Sequence, residues 1–221
     1  MNETEPDWNG WFSADNQNKF IDSLPFLDES SVVVYAGGFT GETILAHWIK
    51  YGFYAHVFEP VRDYFVMLSE RFDNAGAMGK VYIHHYGLSD RNESAFIDLA
   101  SDGSSVLPRS DRNSLLEQKK QVEKIDLKSF DDFFYGPLKR LHGGKIDLLY
   151  INCEGCEYPL LQSLLRKKWM RNVRRVLVQF HKALHLENSV EDRCTLRLGL
   201  SKTHKEEFSF PFVWEGWSLR S

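Results

Sequence analysis

Four polar side chains that could do chemistry follow apolar runs in the second half of the chain. Asn152, Glu154 and Glu157 come directly after a run that begins at Ile146, and His181 follows a second run. Because ligands of open α/β sheets bind at the carboxyl ends of the strands, these positions predict one shared site. Two carboxylates and an amide there could bind a substrate hydroxyl, hold a metal or act as a base. The imidazole of His181 could take a proton from a hydroxyl near neutral pH.

The same residues also fit a structural interpretation. Acids in a first helical turn interact favourably with the helix dipole, which suits Glu154 and Glu157. Asn152 is of a residue type that caps helices, and Gly155 permits a sharp turn between a strand and a helix. Spacing alone weighs the two interpretations equally.

The cysteines give little chemical signal. An odd, low count of three, with Cys194 far from the other two, does not look like a disulfide framework. The single C-x-x-C pair at Cys153 and Cys156 is weak for zinc, and its surroundings differ from those of a thioredoxin-like site. We therefore predict that Cys153 is a small core residue.

A second chemical stretch, from Ser31 to Pro60, reads SVVVYAGGFTGETILAHWIKYGFYAHVFEP. An apolar run, a glycine turn, a helical pattern and a second apolar run follow one another, which predicts a βαβ unit with nucleotide-binding features. Glu59 lies eighteen residues past Gly41, at the end of the second run. An acid there is placed to accept hydrogen bonds from ribose hydroxyls. The structural alternative is an ordinary α/β unit with a tight turn and a surface glutamate.

The spacing of the glycines narrows the choice of ligand. It is G-G-x-x-G, whereas the dinucleotide fingerprint is G-x-G-x-x-G, and the P-loop G-K-[ST] is absent from the sequence. A ribose-bearing ligand without a pyrophosphate fits better. S-adenosylmethionine is therefore the expected cofactor, and no metal site is predicted.

Hydrophobic patterns predict the elements that position these residues. The predicted organisation is an N-terminal arm and helix over 1–30, then a single domain over 31–221 with an insertion at about 92–127. Residues 1–13 are expected to form a loose arm, 108–118 a loop, and 208–219 a hairpin around Glu215 and Gly216. Further strands are predicted at 80–86, 94–100, 106–107, 121–127, 145–153 and 173–180, and further helices at 15–24, 62–72, 129–138 and 157–165.

Composition restricts the partners. The 221 residues are 43% hydrophobic and 26% charged, as in soluble globular proteins, and the net charge is −4. This charge argues against a broad nucleic-acid or membrane surface. We expect a small-molecule or glycan acceptor, no nucleic-acid partner and no membrane partner. The absence of a signal peptide or membrane-length apolar run suggests a cytoplasmic location, or the secretory-pathway lumen if the sequence belongs to a longer precursor.

Three stretches together resemble the FkbM family of S-adenosylmethionine-dependent methyltransferases. They are VVVYAGGFTGE, HVFEP and IDLLYINCEGCEYPLL, the last of which is similar to the family's I-D-x-E-G-x-E signature. Weaker similarities are GLSD at 87–90 and the turn SDGSS at 101–105, and VQFH at 178–181 is similar to the family's later strand. The resemblance covers about residues 31–181.

The resemblance implies an α/β fold with a Rossmann-like, seven-stranded, mostly parallel sheet, an antiparallel C-terminal hairpin and helices on both faces. It also implies methyl transfer from S-adenosylmethionine, usually to a hydroxyl of a sugar or small metabolite. His181 or Glu154 would be the base, Asn152 would orient the acceptor, and Glu157 would face it. The implied cofactor-binding residues are Tyr35, Gly37, Gly38, Phe39, Gly41, Glu59, Leu88 and Ser89.

The chain departs from the family pattern at three positions. The family usually has acids at the positions of Tyr35 and Asn152, and an asparagine at that of Phe39. An inactive binding or scaffolding domain on the same fold is therefore the main alternative to an O-methyltransferase. A nicotinamide-dependent oxidoreductase is a third alternative, and the incomplete dinucleotide-binding glycine pattern argues against it.

Overall fold

The structure is a computed structural model that describes residues 3–13, 15–99, 105–106, 122–182 and 188–220. Its strands are β1 (Val32–Ala36), β2 (Tyr54–Phe58), β3 (Val81–His84), β4 (Gly87–Ser89), β5 (Glu93–Asp98), β6 (Ser105–Val106), β7 (Val122–Ser129), β8 (Ile146–Ile151), β9 (Val173–Val178), β10 (His204–Phe210) and β11 (Trp214–Leu219). Its α-helices are α1 (Trp8–Ser13), α2 (Glu42–Tyr51), α3 (Arg62–Asn74), α4 (Phe130–Phe133), α5 (Lys139–His142), α6 (Glu157–Arg166) and α7 (Ser189–Leu200).

Seven strands form the main sheet, in the order β10-β11-β9-β8-β1-β2-β3. The five strands from β9 to β3 are parallel, whereas β11 runs antiparallel to both of its neighbours. The predicted α/β class, the mostly parallel sheet and the antiparallel C-terminal strands are confirmed. Since parallel strands end at the same edge, the loops after β1, β2, β8 and β9 share that edge.

The centre of the sheet explains why β1 reads as one apolar run. Its five residues are all buried, since β2 and β8 flank it and side chains pack on both faces. Val34 belongs to a core cluster on one face, and Val33 and Tyr35 belong to the cluster on the other. The predicted βαβ unit is confirmed, with α2 between β1 and β2.

A second, four-stranded sheet has the order β4-β7-β5-β6. Strand β4 runs parallel to β7, and β5 runs antiparallel to both β7 and β6. The predicted strand over 80–86 ends earlier, at His84, and the chain then enters this second sheet at Gly87. The predicted return strand is present at 105–106, while Leu107 and the predicted loop over 108–118 lie outside the described residues.

The N-terminal arm is more ordered than the sequence predicts. Helix α1 forms, and Trp11 is buried against Phe210, with ring centroids 5.4 Å apart. The prediction of a loose arm was wrong for this segment because its packing partner lies at the other end of the chain. The predicted helix over 15–24 is reduced to a π-helical turn at Gln17–Ile21.

The C-terminal hairpin turns at residues 211–213, so its predicted centre at Glu215 and Gly216 was wrong. Both residues lie within β11, where Gly216 pairs with Phe208. A Cβ at Gly216 would lie 2.3 Å from Cε1 of the Phe208 ring, so glycine is needed for close packing. The carboxylate of Glu215 is buried, which rules out an exposed turn there.

A buried ion cluster fixes helix α7 against β11. The guanidinium of Arg193 is fully buried and lies 2.6 Å from Oε1 of Glu215. Arg197 lies 2.8 Å from Oε2 of the same carboxylate, which also accepts a hydrogen bond from Trp217 Nε1 at 3.1 Å. The acid is thus compensated by two cations and a ring N–H.

Replacing Arg193 should destabilise the fold strongly. We expect Arg193→Met to lower the free energy of unfolding by about 3 kcal/mol or more, because part of a buried ion cluster is removed. The matched control is Arg174→Met, which removes an exposed pair with Asp147 at 3.6 Å and should cost about 1 kcal/mol or less. Urea denaturation measures both, and equal losses would contradict this account.

Candidate active site

The loops that carry the predicted site residues meet at one edge of the main sheet. The backbone N–H of Asn152 donates to Ala36 O at 2.9 Å, which joins the end of β8 to the end of β1. The N–H of Gly37 donates to Phe58 O at 3.1 Å, which joins β1 to β2. The N–H of Gln179 continues the ladder to Ile151 O at 2.9 Å. The structure therefore brings together the glycine turn, Glu59, the 152–157 segment and His181.

Glu59 anchors the glycine turn from the end of β2. Its Oε2 accepts hydrogen bonds from the N–H groups of Gly38 at 3.2 Å and Phe39 at 2.7 Å. Its Oε1 accepts one from Val61 N–H at 2.8 Å. The residue is 5% exposed. Glu59 is thus a buried internal acceptor and not a surface glutamate.

Burial changes the acidity of Glu59. Loss of solvent raises its pKa to about 7, although the N–H donors of Val61, Phe39 and Gly38 oppose that rise. Near neutral pH, the charged and neutral forms are therefore both populated. The hydrogen-bonding capacity of this side chain should change over the physiological pH range.

The glycines of the turn are required by the protein's own packing. Gly37 has φ +95°, and a Cβ there would lie 1.9 Å from the backbone oxygen of Asn152. A Cβ at Gly41 would lie 2.3 Å from Leu68 Cδ1, and one at Gly38 would lie 2.8 Å from Leu68 Cδ2. The turn is pressed between the end of β8 and helix α3, so a larger residue would displace it.

Two of the residues that depart from the family pattern are accommodated differently. Tyr35 is fully buried, with its hydroxyl 3.0 Å from His47 Nδ1 and its ring centroid 5.1 Å from that of Tyr150. Burial raises the pKa of Tyr35 well above its usual value, so the phenol is neutral. Phe39 is 54% exposed, has φ +45° and packs edge-on against Tyr64 at 4.6 Å.

Leu88 and Ser89 lie in the second sheet, on β4. Both are buried, and Leu88 belongs to the core cluster that contains Phe58. Ser89 lines a cleft of about 250 Å³, together with Gly155 and Cys156. This cleft lies beside the segment that carries Glu154.

His181 bridges two carboxylates. Its Nδ1 lies 3.1 Å from Glu157 Oε1, and its Nε2 lies 3.1 Å from Glu154 Oε1. Glu157 is fully buried and also accepts hydrogen bonds from His181 N–H and Gly155 N–H, both at 2.8 Å. The Glu154 side chain is 33% exposed. Glu157 therefore holds His181 from the buried side, and Glu154 lies on the side that faces solvent.

The two carboxylates make His181 a cation at neutral pH. Burial lowers its pKa, but the charge of Glu157 and the hydrogen bonds that the ring donates to Glu154 and Glu157 outweigh it and raise the pKa to about 10. An imidazolium has no free lone pair to accept a proton. This argues against His181 as the general base and leaves Glu154 as the exposed candidate.

The structural interpretation of this segment holds only in part. Glu157 lies in the first turn of α6, but the N-cap residue of that helix is Cys156, so Asn152 does not cap it. Glu154 precedes the helix and has φ +54°. Asn152 is half-buried at the end of β8, beside the glycine turn.

Cys153 and Cys156 form a disulfide, with Cα atoms 5.4 Å apart. Cys153 packs against the core, as predicted for a small core residue, but the expectation that the cysteines form no disulfide was wrong. The pairing arises because the turn into α6 reverses the chain within four residues. The C-x-x-C spacing is the sequence signal for this pairing, although a count of three cysteines is not typical of a disulfide framework. Cys194 is a free, exposed cysteine.

Comparisons with known proteins identify the family of this chain. The family model of the methyltransferase FkbM domain matches residues 32–209. The chain belongs to the FkbM methyltransferase family. A search of curated proteins found no match.

Solved structures share the fold of this FkbM chain. The FkbM methyltransferase from Methylobacillus flagellatus KT is 13% identical, with a TM-score of 0.54, over 90% of this chain and 47% of its own. The present chain thus spans about half the length of that protein. A candidate rRNA-methylase from Clostridium thermocellum is 10% identical, with a TM-score of 0.54, over 98% and 97% of the two chains. A precorrin-6y C5,15-methyltransferase from Geobacter metallireducens GS-15 is 10% identical, with a TM-score of 0.50, over 94% and 88%.

Two negative findings apply to the described part of this FkbM chain. No helix there is long and apolar enough to cross a membrane. No group of three or more His, Cys, Asp or Glu side chains there could hold a metal ion.

The charge of His181 should appear in the pH dependence of stability. A raised folded-state pKa means that its stabilising contribution is complete below about pH 6.5 and is lost as the pH rises through about 10. We expect His181→Gln to lower the free energy of unfolding by about 3 kcal/mol at pH 7, because Glu157 loses its buried partner. The difference from the wild type should shrink toward pH 10.

Thermal and urea denaturation from pH 6 to pH 10.5 measure this difference. The control is His85→Gln, because His85 is exposed and stacks on Phe65 at 4.5 Å. A His181→Gln deficit that stays constant across this range would show that His181 is not charged at pH 7.

Proposed function

We propose that the protein binds S-adenosylmethionine at the carboxyl edge of β1, β2 and β8 and methylates a hydroxyl oxygen of a sugar or small metabolite. The observation that carries this proposal is the cluster of Glu154, His181 and Glu157, which presents one carboxylate at that edge beside the glycine turn. The FkbM family supplies the reaction type.

The capacity of Glu59 to accept hydrogen bonds supports a ribose contact. An ionised carboxylate has about four lone-pair sites. Three N–H groups use three of them, so one remains for a ribose hydroxyl. The methionine part of the cofactor would lie along Gly37, Gly38 and Gly41, with Tyr35 beneath these glycines and Phe39 above them. The adenine base of the cofactor would lie beside Leu88 and Ser89. When bound, S-adenosylmethionine supplies a methyl group on a sulfonium.

The protein's own contribution is alignment and proton removal. Glu154 accepts the proton of the acceptor hydroxyl, because it is the exposed carboxylate of the cluster. The His181 imidazolium orients Glu154, and the buried Glu157 keeps that imidazolium charged and fixed. Asn152, at the tip of β8, orients the acceptor.

Charge favours a small acceptor. Although one structural neighbour is a candidate rRNA-methylase, the net charge of −4 is unfavourable for a polyanionic substrate. Free sugars and small hydroxylated metabolites carry no such penalty. The whole protein's acceptor is thus proposed to be uncharged and rich in hydroxyl groups.

A non-catalytic binding domain is the second candidate. It is favoured by the buried Tyr35 at a position where the family usually has an acid, and by the three internal hydrogen bonds that Glu59 already accepts. A domain that never binds S-adenosylmethionine could keep both features for stability alone.

Calorimetric titration with S-adenosylmethionine separates these candidates. We expect micromolar binding that Glu59→Gln weakens about tenfold or more, because a hydrogen bond to a charged acceptor contributes about 1.5–3 kcal/mol. The control Glu42→Gln changes an exposed acid on α2, whose side chain is 75% exposed, and should bind as the wild type does. If the folded wild type binds neither the cofactor nor its demethylated product, the binding-domain candidate is favoured.

Replacing Glu154 should affect the chemical step. With a panel of monosaccharides as acceptors, we expect Glu154→Gln to lower kcat by about 10²–10⁴-fold, as for loss of a general base. Its affinity for S-adenosylmethionine should change little. Formation of the demethylated cofactor measures turnover, and a Glu154→Gln variant as active as the wild type would exclude Glu154 as the base.

A further inference from the structure

The disulfide between Cys153 and Cys156 lies within the candidate active site. It encloses Glu154 and Gly155, at the junction of β8 and α6. Both cysteines are half-buried, and Cys156 lines the 250 Å³ cleft beside β4. A thiol of an external molecule can therefore approach the bond from solvent.

The two sulfurs have different electrostatic surroundings. Cys156 is the N-cap residue of the ten-residue helix α6, whose N-terminus favours negative charge and therefore a thiolate. Cys153 Sγ lies 3.6 Å from Glu157 Oε2, a buried carboxylate that disfavours a thiolate and can accept the proton of a thiol. Cys156 is also the sulfur that faces the cleft, so an external thiolate reaches it first, and the helix N-terminus favours its thiolate when it is later released.

We propose that Cys153 and Cys156 form a thiol–disulfide exchange site that a dithiol reductant opens, and that the redox state of this pair sets the position of Glu154. A thiolate of the dithiol attacks Cys156 Sγ from the cleft, the bond between the two cysteine sulfurs breaks, and Cys153 leaves with the electron pair and takes up a proton. The second thiol of the reductant then attacks the mixed disulfide and releases Cys156. The dithiol loses two electrons and two protons, and the cysteine pair gains them.

The backbone couples this exchange to the site. Glu154 and Gly155 have φ values of +54° and +115°, and a left-handed conformation is unfavourable for glutamate unless its surroundings impose it. The closed four-residue loop imposes it here. Once the loop opens, Glu154 can return to an ordinary conformation and move its Oε1 away from His181 Nε2, now 3.1 Å distant.

The consequence for methyl transfer rests on the proposed function, whereas the exchange and the movement of Glu154 do not. The oxidised form is the one that can transfer methyl groups, because only in that form does the closed loop keep Glu154 in contact with His181. We expect reduction to lower the rate of methyl transfer by about tenfold or more, through loss of an oriented base.

The test uses the full chain with Cys194→Ser, so that Cys153 and Cys156 are the only thiols. The folded protein is equilibrated in mixtures of oxidised and reduced dithiothreitol and then alkylated. Intact mass should show zero or two alkyl groups, with a sharp transition between them. A pair that stays reduced in oxidised dithiothreitol, or stays closed in reduced dithiothreitol, would overturn the exchange site.

NMR titration of the His181 ring protons tests the coupling without any cofactor or acceptor. We expect the pKa of His181 to fall by about one unit on reduction, because Glu154 no longer stabilises the imidazolium. Cys156→Ser with Cys194→Ser should resemble the reduced form in every redox buffer, and Cys194→Ser alone is its control. Identical titrations in both redox states would overturn the coupling. A shift without S-adenosylmethionine binding would support it and reject only the proposed methyltransferase activity.

Discussion

The buried carboxylate of Glu157 joins the two halves of the candidate site. One oxygen accepts the Gly155 N–H of the turn into α6, and the other faces both the backbone and the ring of His181 after β9. A fully buried charge of this kind is costly unless it is paired and hydrogen-bonded. The requirement for compensation therefore fixes His181 as a cation, and the cation in turn holds Glu154 at the surface.

A second buried carboxylate plays the same role on the other side of the edge. Glu59 holds the glycine turn through Gly38 and Phe39, and the start of α3 through Val61. The donors that Glu59 accepts from in the described part of the chain are backbone N–H groups and carry no charge, so burial raises its pKa. At the other acid, Glu157, pairing with His181 raises the pKa of the histidine. The two acids are similarly buried, but Glu59 is held by neutral N–H groups, whereas Glu157 is paired with a cation. The proposed cofactor site lies between them.

The sequence predicted the parts of this arrangement that depend on local pattern. The βαβ unit follows from a run of buried residues at β1, and the shared edge follows from the parallel order of the strands. The sequence could not separate the roles of Glu154 and Glu157. The two acids differ in burial, and their burial is set by the packing of α6 and β9. The same limit applies to Trp11, whose partner Phe210 lies at the other end of the chain, and to Gly216, which makes room for Phe208 and not for a turn. The disulfide was missed because a cysteine count carries no information about the geometry of one turn.

The edge held by Glu59 and Glu157 is the proposed cofactor and acceptor site. A crystal structure of the protein with S-adenosylhomocysteine, the demethylated cofactor, would show whether the ligand lies at this edge. We expect the ribose at Glu59, the amino-acid part along the glycine turn, and the sulfur facing the side of the site that carries Glu154. A ligand bound elsewhere, or a saturated crystal in which the edge holds no ligand, would contradict this proposal.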